Sequence, residues 1–198
     1  MQAVLGDVAI GRAGVRPHGI LSLRPLLAAD SVIGAVAAAL LGPNCQPVRA
    51  ILFDKTANTN WVLGWHQDRT IAVAARIDGP GFGPWSRKHG LLHVEPTFDI
   101  LERMVVLRVH LDPVTAGNAP LRIAPGSHRF GRLPEAEIDA AVARCGTHDC
   151  LAERGDTWAY GAPILHASKA AETPAGRRVL QIDYSSDQVP GRLNWHGV

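Results

Sequence analysis

Lysine is scarce in this chain of 198 residues, and its basic residues are scattered rather than clustered. Only Lys55, Lys88 and Lys169 are lysines, and the 20 basic residues exceed the 18 acidic ones by a formal net charge of +2. The net charge is small and the basic residues are spread along the sequence, so no basic patch is predicted. This argues against a nucleic-acid partner.

Long hydrophobic runs are also missing. The longest run, 32–41, is far short of the ~20 apolar residues that a membrane-spanning helix needs. No basic start followed by a long apolar block is seen at the beginning of the sequence, so we expect neither a signal peptide nor a membrane partner.

Cysteine is the third scarce residue type, with Cys45, Cys145 and Cys150 only. An odd number argues against a disulfide framework and favours a reducing, cytoplasmic location. His148 lies between the last two cysteines, but no second half of a metal site is found elsewhere, so ordinary thiols are the preferred interpretation.

Hydrophobic residues make up 46% of the chain and charged residues 19%, as in an ordinary globular domain. An Ala- and Leu-rich stretch with helical spacing, stopped by Gly42-Pro43, predicts one helix over 25–41, and a second helix is predicted over 135–144. Eight short apolar runs with turn residues between them predict strands: 48–53, 61–66, 70–76, 104–111, 121–124, 157–160, 164–166 and 178–184.

These short strands indicate a mainly β domain, either a barrel or a sandwich. We expect one domain over 1–198, with N-terminal decoration at 1–45, the β core at 46–186 and a tail at 187–198. The Gly- and Pro-rich stretch 77–100 lacks periodicity, and we interpret it as a loop that covers the substrate. Its candidate substrate contacts are Trp85, His93 and Lys88.

Three residues have the types and the spacing of a metal site. His66 and Asp68 are two positions apart in a strand-like segment, so both side chains project from one face. His166, at the end of another apolar run, is the third candidate ligand. Two histidines and one carboxylate form the facial triad of iron(II) oxygenases and leave three coordination positions open. A lone His-x-Asp is a weak signal, and the alternative for His66 is a surface or satisfied core histidine.

The residues after His166 suggest an anion site beside the metal. Ser168 follows two residues later, and Arg177 and Arg178 begin the next apolar run after a turn over 172–176. We expect a hairpin that returns an arginine to His166, where it can bind the distal carboxylate of 2-oxoglutarate and Ser168 can donate a further hydrogen bond. Strand alternation sends the two arginines to opposite faces and does not choose between them.

Residues 104–111 alternate cleanly, which places Arg108 and His110 on one face of a strand. If that face lines the mouth of a barrel, Arg108 can bind the cosubstrate or an anionic group of the substrate. The alternative is an arginine that faces solvent.

The order of these motifs resembles the phytanoyl-CoA dioxygenase family of iron(II)/2-oxoglutarate oxygenases, over residues 48–184. The matching positions are Lys55 in FDKT, His66-Gln67-Asp68, 108–112, Asn118, Pro125-Gly126-Ser127-His128, His166-Ala167-Ser168 and Arg177-Arg178. The resemblance implies a double-stranded β-helix, or jelly roll, with a few flanking α-helices. It implies His66, Asp68 and His166 as ligands of Fe(II). It also implies Arg177, rather than Arg178, and Ser168 as ligands of 2-oxoglutarate, with Lys55, Gln67 and Arg108 as further cofactor-binding candidates.

The function that follows is a non-haem, iron(II)- and 2-oxoglutarate-dependent dioxygenase, which uses O2 to hydroxylate a small-molecule metabolite or natural-product intermediate. Asp68 favours hydroxylation, since halogenating relatives lack this carboxylate. Desaturation, cyclisation and epimerisation use the same cofactors. Two other classes are a non-catalytic jelly-roll module that binds a metal or ligand, and a zinc hydrolase, for which the sequence offers no general base. The sequence indicates neither the substrate nor the oligomeric state.

Overall fold

The computed structural model describes residues 2–5, 8, 13–174 and 176–198. Several residues of the predicted N-terminal decoration, and residue 175 of the predicted turn, lie outside these ranges. The strands are β1 (Gly14–Val15), β2 (Gln46–Lys55), β3 (Leu63–His66), β4 (Ile71–Val73), β5 (Trp85–Lys88), β6 (Leu91–Val94), β7 (Met104–His110), β8 (Leu121–Ile123), β9 (His148–Cys150), β10 (Thr157–Gly161), β11 (His166–Ser168) and β12 (Arg177–Ser185). The α-helices are α1 (Gln2–Leu5), α2 (Arg24–Leu27), α3 (Gly34–Leu41), α4 (Phe98–Glu102) and α5 (Ile138–Cys145).

Two antiparallel sheets enclose the interior. The larger has the strand order β1-β2-β12-β7-β10 and the smaller has the order β3-β11-β8-β9. Strands that are far apart in the sequence pair in both sheets, as they do in a jelly roll. The two long strands β2 and β12 pair from Arg177 opposite Lys55 to Ser185 opposite Gln46. The prediction of a mainly β, jelly-roll fold is confirmed, and seven of the eight predicted strands are present. The eighth, over 164–166, is shifted, because β11 begins at His166 instead of ending there.

Both faces of the larger sheet are buried, which strand β7 illustrates. All of its residues are buried. Val105, Leu107 and Val109 belong to a hydrophobic cluster that includes residues of α2 and α3. The alternate residues include Val106, which belongs to the cluster between the sheets, and Arg108, which lines a cavity. One face of the sheet therefore packs on helices, and the other carries polar side chains into the interior.

The single helix predicted over 25–41 is wrong, because α2 and α3 are separate helices. Ser31 turns the chain between them: its Oγ donates to the Leu26 carbonyl at 2.8 Å and accepts from the Gly34 amide at 2.9 Å. A Cβ at Gly34 would lie 1.9 Å from the Ala28 carbonyl oxygen, so only glycine fits there. The apolar spacing does not reveal this competition between a side chain and the helix backbone. The second predicted helix, over 135–144, is present as a 3-10 turn followed by α5.

The stretch 77–100 is also different from the prediction. Strands β5 and β6 form a hairpin that turns at His89 and Gly90, which have φ angles of 52° and 84°. Strand β6 also pairs with β4, which makes a third, three-stranded sheet, and α4 follows. The segment therefore contains a hairpin and a short helix and is not one structureless loop, while its role in covering the substrate stays a prediction.

The remaining predictions concern the cysteines, membrane-spanning helices, the location and the domain boundaries. All three cysteines are free thiols. Within the described ranges, no helix is both long enough and apolar enough to cross a membrane. The cytoplasmic location and the domain boundaries stay predictions.

Candidate active site

His66, Asp68 and His166 meet where β3 and β11 lie side by side. His166 is the direct cross-strand partner of His66, and Asp68 lies in the loop two residues beyond the end of β3. One potential ligand atom from each residue lies within 4.8 Å of the others. Among the described residues, these three form the only group of His, Cys, Asp and Glu side chains with a geometry that suits a metal ion. The structure thus brings the predicted triad together, although Asp68 is not on the strand, as the alternation argument had assumed.

Backbone carbonyls fix the orientation of both imidazoles. Nδ1 of His66 lies 2.8 Å from the Gly64 carbonyl oxygen, and Nδ1 of His166 lies 3.0 Å from the Ile164 carbonyl oxygen. Since a carbonyl only accepts, each Nδ1 carries the proton and each Nε2 keeps a lone pair for a metal. Burial lowers the pKa of His166 to about 4, so this imidazole is neutral at pH 7.

Asp68 is supported by a buried arginine that the sequence reasoning missed. Nη2 of Arg49 lies 3.6 Å from Oδ2 of Asp68 and 2.6 Å from Oδ2 of Asp183. Burial on its own raises the pKa of Asp68. Interactions with His166, which is protonated only at the acidic pH where Asp68 titrates, and with the Arg49 guanidinium bring that pKa below its ordinary value. A signal was available, because charged residues within apolar strands are buried only when they are paired.

The same ion pair begins a hydrogen-bonded row along the inner face of β12. Nε2 of Gln181 donates to Oδ1 of Asp183 at 3.3 Å, and Oε1 of Gln181 accepts from Nη1 of Arg108 at 2.8 Å. Arg108 in turn stacks over the ring of Phe53, with 5.1 Å between its guanidinium carbon and the ring centroid. Arg108 therefore faces the interior, not solvent.

A cavity of about 260 Å³ opens beside the three candidate ligands. Arg177 and Arg108 line it, and Arg177 is only 2% exposed. Nη1 of Arg177 donates to the Ala119 carbonyl at 2.8 Å, while Nε of each arginine is buried without a hydrogen-bond partner among the described residues. Burial, and then the charge of Arg108, lowers the pKa of Arg177 to about 9. Buried donors without partners carry a free-energy cost that a bound anion would remove.

The neighbouring Arg178 has a different environment. It is half-buried and forms a two-point ion pair with Asp112, with Nε–Oδ2 and Nη2–Oδ1 distances of 2.8 and 2.9 Å. The structure thus puts Arg177, not Arg178, in the cavity. The predicted hairpin is wrong, however: His166 is on β11 in the smaller sheet and Arg177 is on β12 in the larger one. The turn crosses between sheets, and the two residues approach the cavity from different sides.

Lys55 and Ser168 extend the cationic end of this cavity. Lys55 is fully buried and lies opposite Arg177 in the β2–β12 pairing. Its Nζ donates to Oγ of Ser168 at 3.1 Å and lies 4.7 Å from the ring centroid of Trp61. Burial, followed by the charges of Arg177 and Arg108, lowers the pKa of Lys55 to about 8. Ser168 lines the cavity, and Lys55 holds it in place.

Gln67 does not fit its predicted role in cofactor binding. Its Nε2 donates to the Gly131 and Pro163 carbonyls, both at 2.9 Å, and its Oε1 accepts from the Leu133 amide at 3.0 Å. Both amide protons are therefore used within the protein. Gln67 joins the end of β3 to two loops, and its contribution is structural.

The predicted substrate contacts Trp85 and His93 are also corrected. Trp85 packs against the hydrophobic cluster between the sheets, and His93 is fully buried with its Nδ1 3.1 Å from the Leu91 carbonyl oxygen. Neither lines the cavity, whereas Lys88 and His89 at the tip of the same hairpin do. Burial lowers the pKa of His93 to about 4, as expected for a histidine in the core.

A family model described as phytanoyl-CoA dioxygenase (PhyH) matches residues 23–179, most of the chain. The chain belongs to this family. The family predicted from the sequence motifs is confirmed, and the cofactors of this family are Fe(II), 2-oxoglutarate and O2. No curated protein matches the chain significantly in sequence.

Solved structures with the same fold include EctD, AviO1 and HygX. EctD from S. alaskensis is 19% identical with a TM-score of 0.63, and the match covers 94% of this chain and 61% of EctD. AviO1 from Streptomyces viridochromogenes Tue57 is 21% identical with a TM-score of 0.62, and the match covers 90% of this chain and 69% of AviO1. Iron-bound HygX from Streptomyces hygroscopicus is 14% identical with a TM-score of 0.60, and the match covers 93% of this chain and 75% of HygX. The chain covers only 51% of the non-haem monooxygenase ThoJ in its nickel complex. At these identities the likeness establishes the fold.

Proposed function

We propose that this protein is a non-haem iron(II) dioxygenase that couples the decarboxylation of 2-oxoglutarate to the hydroxylation of a small molecule. One observation carries the proposal. Three potential metal ligands converge within 4.8 Å at a cavity that also contains two buried arginines with unpartnered donors. A triad alone would suit several metals, but a triad beside an unneutralised anion site suits a metal with a dianionic cosubstrate.

His66, Asp68 and His166 would hold the iron. Two imidazoles that keep free Nε2 lone pairs and one ionised carboxylate are a donor set that suits iron(II) and leaves three positions open. When bound, the iron and the chelated 2-oxo acid supply the activation of dioxygen. Arg49 restrains Asp68, and the two backbone carbonyls restrain the imidazoles, so the protein keeps the open positions on one side.

The cationic end of the cavity would hold the distal carboxylate of 2-oxoglutarate. Arg177 offers its unpartnered Nε and Ser168 offers its hydroxyl, which Lys55 orients. Arg108 adds a second guanidinium whose Nε is unpartnered. The aromatic side chains of Phe53 and Trp61 line the same cavity and exclude water from these charges, which strengthens each contact with an anion.

The test is an anaerobic titration with iron(II) and then 2-oxoglutarate, monitored through the visible charge-transfer band of the chelate. We expect the band, and succinate formation on admission of air, in the wild type and in Asp78→Ala, which removes an exposed carboxylate of a surface ion pair. Asp68→Ala should lose both. A band retained in Asp68→Ala would remove this residue from the ligand set, and a wild type without band and succinate would contradict the proposal.

The oxidative outcome has its own measurement. Hydroxylation under ¹⁸O-labelled dioxygen adds one labelled oxygen to the product, whereas desaturation or cyclisation removes two hydrogens and adds none. We expect the labelled product and no halogenated one, because Asp68 occupies the position that a halide would otherwise take on the metal. A product that has lost two hydrogens and carries no label would assign desaturation or cyclisation.

A further inference from the structure

The cavity lining carries more positive charge than Asp68 and a bound 2-oxoglutarate would neutralise. Among the described residues, five lysine and arginine side chains line it, but only one carboxylate does. The five are Arg16, Arg49, Lys88, Arg108 and Arg177, and the carboxylate is Asp68.

Three of these five cations have partners. Arg49 is ion-paired with Asp183 at 2.6 Å. Arg108 and Arg177 face the distal carboxylate of 2-oxoglutarate in the proposed function. Arg16 and Lys88 remain, and neither forms an ion pair within the described part of the chain.

Arg16 directly follows β1, at the edge of the larger sheet. Its Nε is buried and has no hydrogen-bond partner among the described residues. Burial, and then the charge of Arg49, lowers the pKa of Arg16, while the charges of Asp68 and Asp183 offset this only in part. The guanidinium therefore lies near the metal ligands in an environment with an excess of positive charge.

Lys88 reaches the same cavity from the tip of the β5–β6 hairpin, in a different sheet. Its Nζ donates to the neutral hydroxyl of Thr70 at 3.2 Å. Burial, and then the charge of Arg49, lowers the pKa of Lys88 as well. The Nε of Arg16 is a buried donor without a partner, which costs free energy that a bound anion would offset. Lys88 adds an exposed ammonium at the same cavity, and neither side chain has an ion-pair partner among the described residues.

We propose that Arg16 and Lys88 bind an oxyanion group of the substrate, and that the substrate is a small organic acid or phosphate ester. The guanidinium suits a two-point contact with an oxyanion, and the ammonium adds a point charge. The cavity of about 260 Å³ is smaller than the roughly 300–1,000 Å³ of most small-molecule sites, so it takes a small substrate beside the cosubstrate. The role in substrate binding rests on the proposed function, but the anion site itself does not.

The experiment is isothermal titration of the protein preloaded with nickel(II), which is redox-inert here, and 2-oxoglutarate. The probes are sulfate, which represents a phosphate ester, and acetate, which represents an organic acid. We expect saturable binding of at least one probe to the wild type. The Kd of that probe should be at least about tenfold higher in Arg16→Gln and in Lys88→Met. The stronger probe identifies the oxyanion. Lys88→Arg should keep most of the affinity, and Arg132→Gln, which removes a surface partner of Glu95, should behave as the wild type.

The chelate band of the iron(II) protein, measured for each variant, separates this inference from the proposed function and reports whether the variant is folded. If the band is present but neither probe binds, or if the variants bind the probes as the wild type does, the anion site is overturned and the dioxygenase proposal stands. Unchanged binding in both variants would mean that the anion binds the metal or another surface. If the band is missing while probe binding depends on Arg16 and Lys88, the dioxygenase proposal fails and the anion site stands.

Discussion

Replacing Arg177 with methionine should weaken cosubstrate binding and at the same time stabilise the protein without cosubstrate. Arg177 is 2% exposed, has no carboxylate partner among the described residues, and lies beside Lys55 and Arg108. A buried cation in such a place is retained because something binds it, not because it stabilises the fold. The two effects have opposite signs, which makes the prediction specific.

The magnitudes follow from the contacts. A charge-assisted hydrogen bond contributes about 1.5–3 kcal/mol, so losing one from Arg177 to 2-oxoglutarate should raise the Kd roughly 10- to 150-fold at 1.4 kcal/mol per factor of ten. Burial lowers the pKa of Arg177 from the ordinary value of an arginine to about 9, so the folded state disfavours its charge. This destabilisation is fully present below the pKa that Arg177 has in the folded state. It decreases as the pH rises from that value towards the ordinary pKa of an arginine. Methionine removes it but also removes the bond to Ala119, which leaves a net gain of about 1–2 kcal/mol.

The assays are titration of 2-oxoglutarate into the metal-loaded protein and thermal unfolding of the apo protein at pH 7. For a chain of this size, the gain corresponds to a rise in Tm of roughly 2–8 °C. Arg178→Gln is the matched control, because its guanidinium pairs with Asp112 outside the cavity and should leave 2-oxoglutarate affinity unchanged. An affinity loss in Arg178→Gln with none in Arg177→Met would refute the reasoning, as would a Tm that falls in Arg177→Met.

Two other predictions concern residues around the same site. Since the pKa of Lys55 is lowered to about 8, binding of the 2-oxoglutarate anion nearby should raise that pKa and take up protons near pH 8. Titrations in two buffers with different ionisation enthalpies should detect the uptake in the wild type, and an equal uptake in Lys55→Met would contradict the assignment. Gln67→Leu should lower the free energy of unfolding by about 1–3 kcal/mol, because the buried Leu133 amide loses its acceptor. Chemical denaturation measures this, and unchanged stability with weakened 2-oxoglutarate binding would return Gln67 to the cofactor site.

Much of the fold and the triad could be predicted from the sequence because the relevant signals are local. Alternation in 104–111 gives β7 and places Arg108 and His110 on one face, although only the structure shows that Arg108 points inward. The residue types and order of His66, Asp68 and His166 indicate a facial triad, although the strand ends at His66 and the loop places Asp68. Motif order also favours Arg177 over Arg178, a choice that alternation leaves open.

What could not be predicted depends on contacts between distant parts of the chain. Arg49 and Asp183 are separated by 134 positions and form an ion pair only because β2 and β12 are neighbours in the sheet. The predicted hairpin assumed that consecutive strands pair, whereas a jelly roll sends them to different sheets. In the β5–β6 hairpin, the sequence does not indicate which end faces the cavity. The large side chain of Trp85 packs on the core, and the tip residue Lys88 reaches the cavity.

The two faces of β12 explain how the fold accommodates so many charges. On the inner face, Arg177, Gln181 and Asp183 are buried polar side chains. On the outer face, Leu180, Ile182 and Tyr184 are fully buried in the cluster that contains α2 and α3, and the Tyr184 hydroxyl donates to the Leu27 carbonyl at 2.9 Å. Burial of large apolar side chains stabilises by about 1.5–3 kcal/mol each, which offsets unpaired cations on the other face. The N-terminal helices α2 and α3 cover the outer face of the larger sheet, and the apolar contacts there allow its inner face to carry charge. They are therefore more than decoration of the jelly roll.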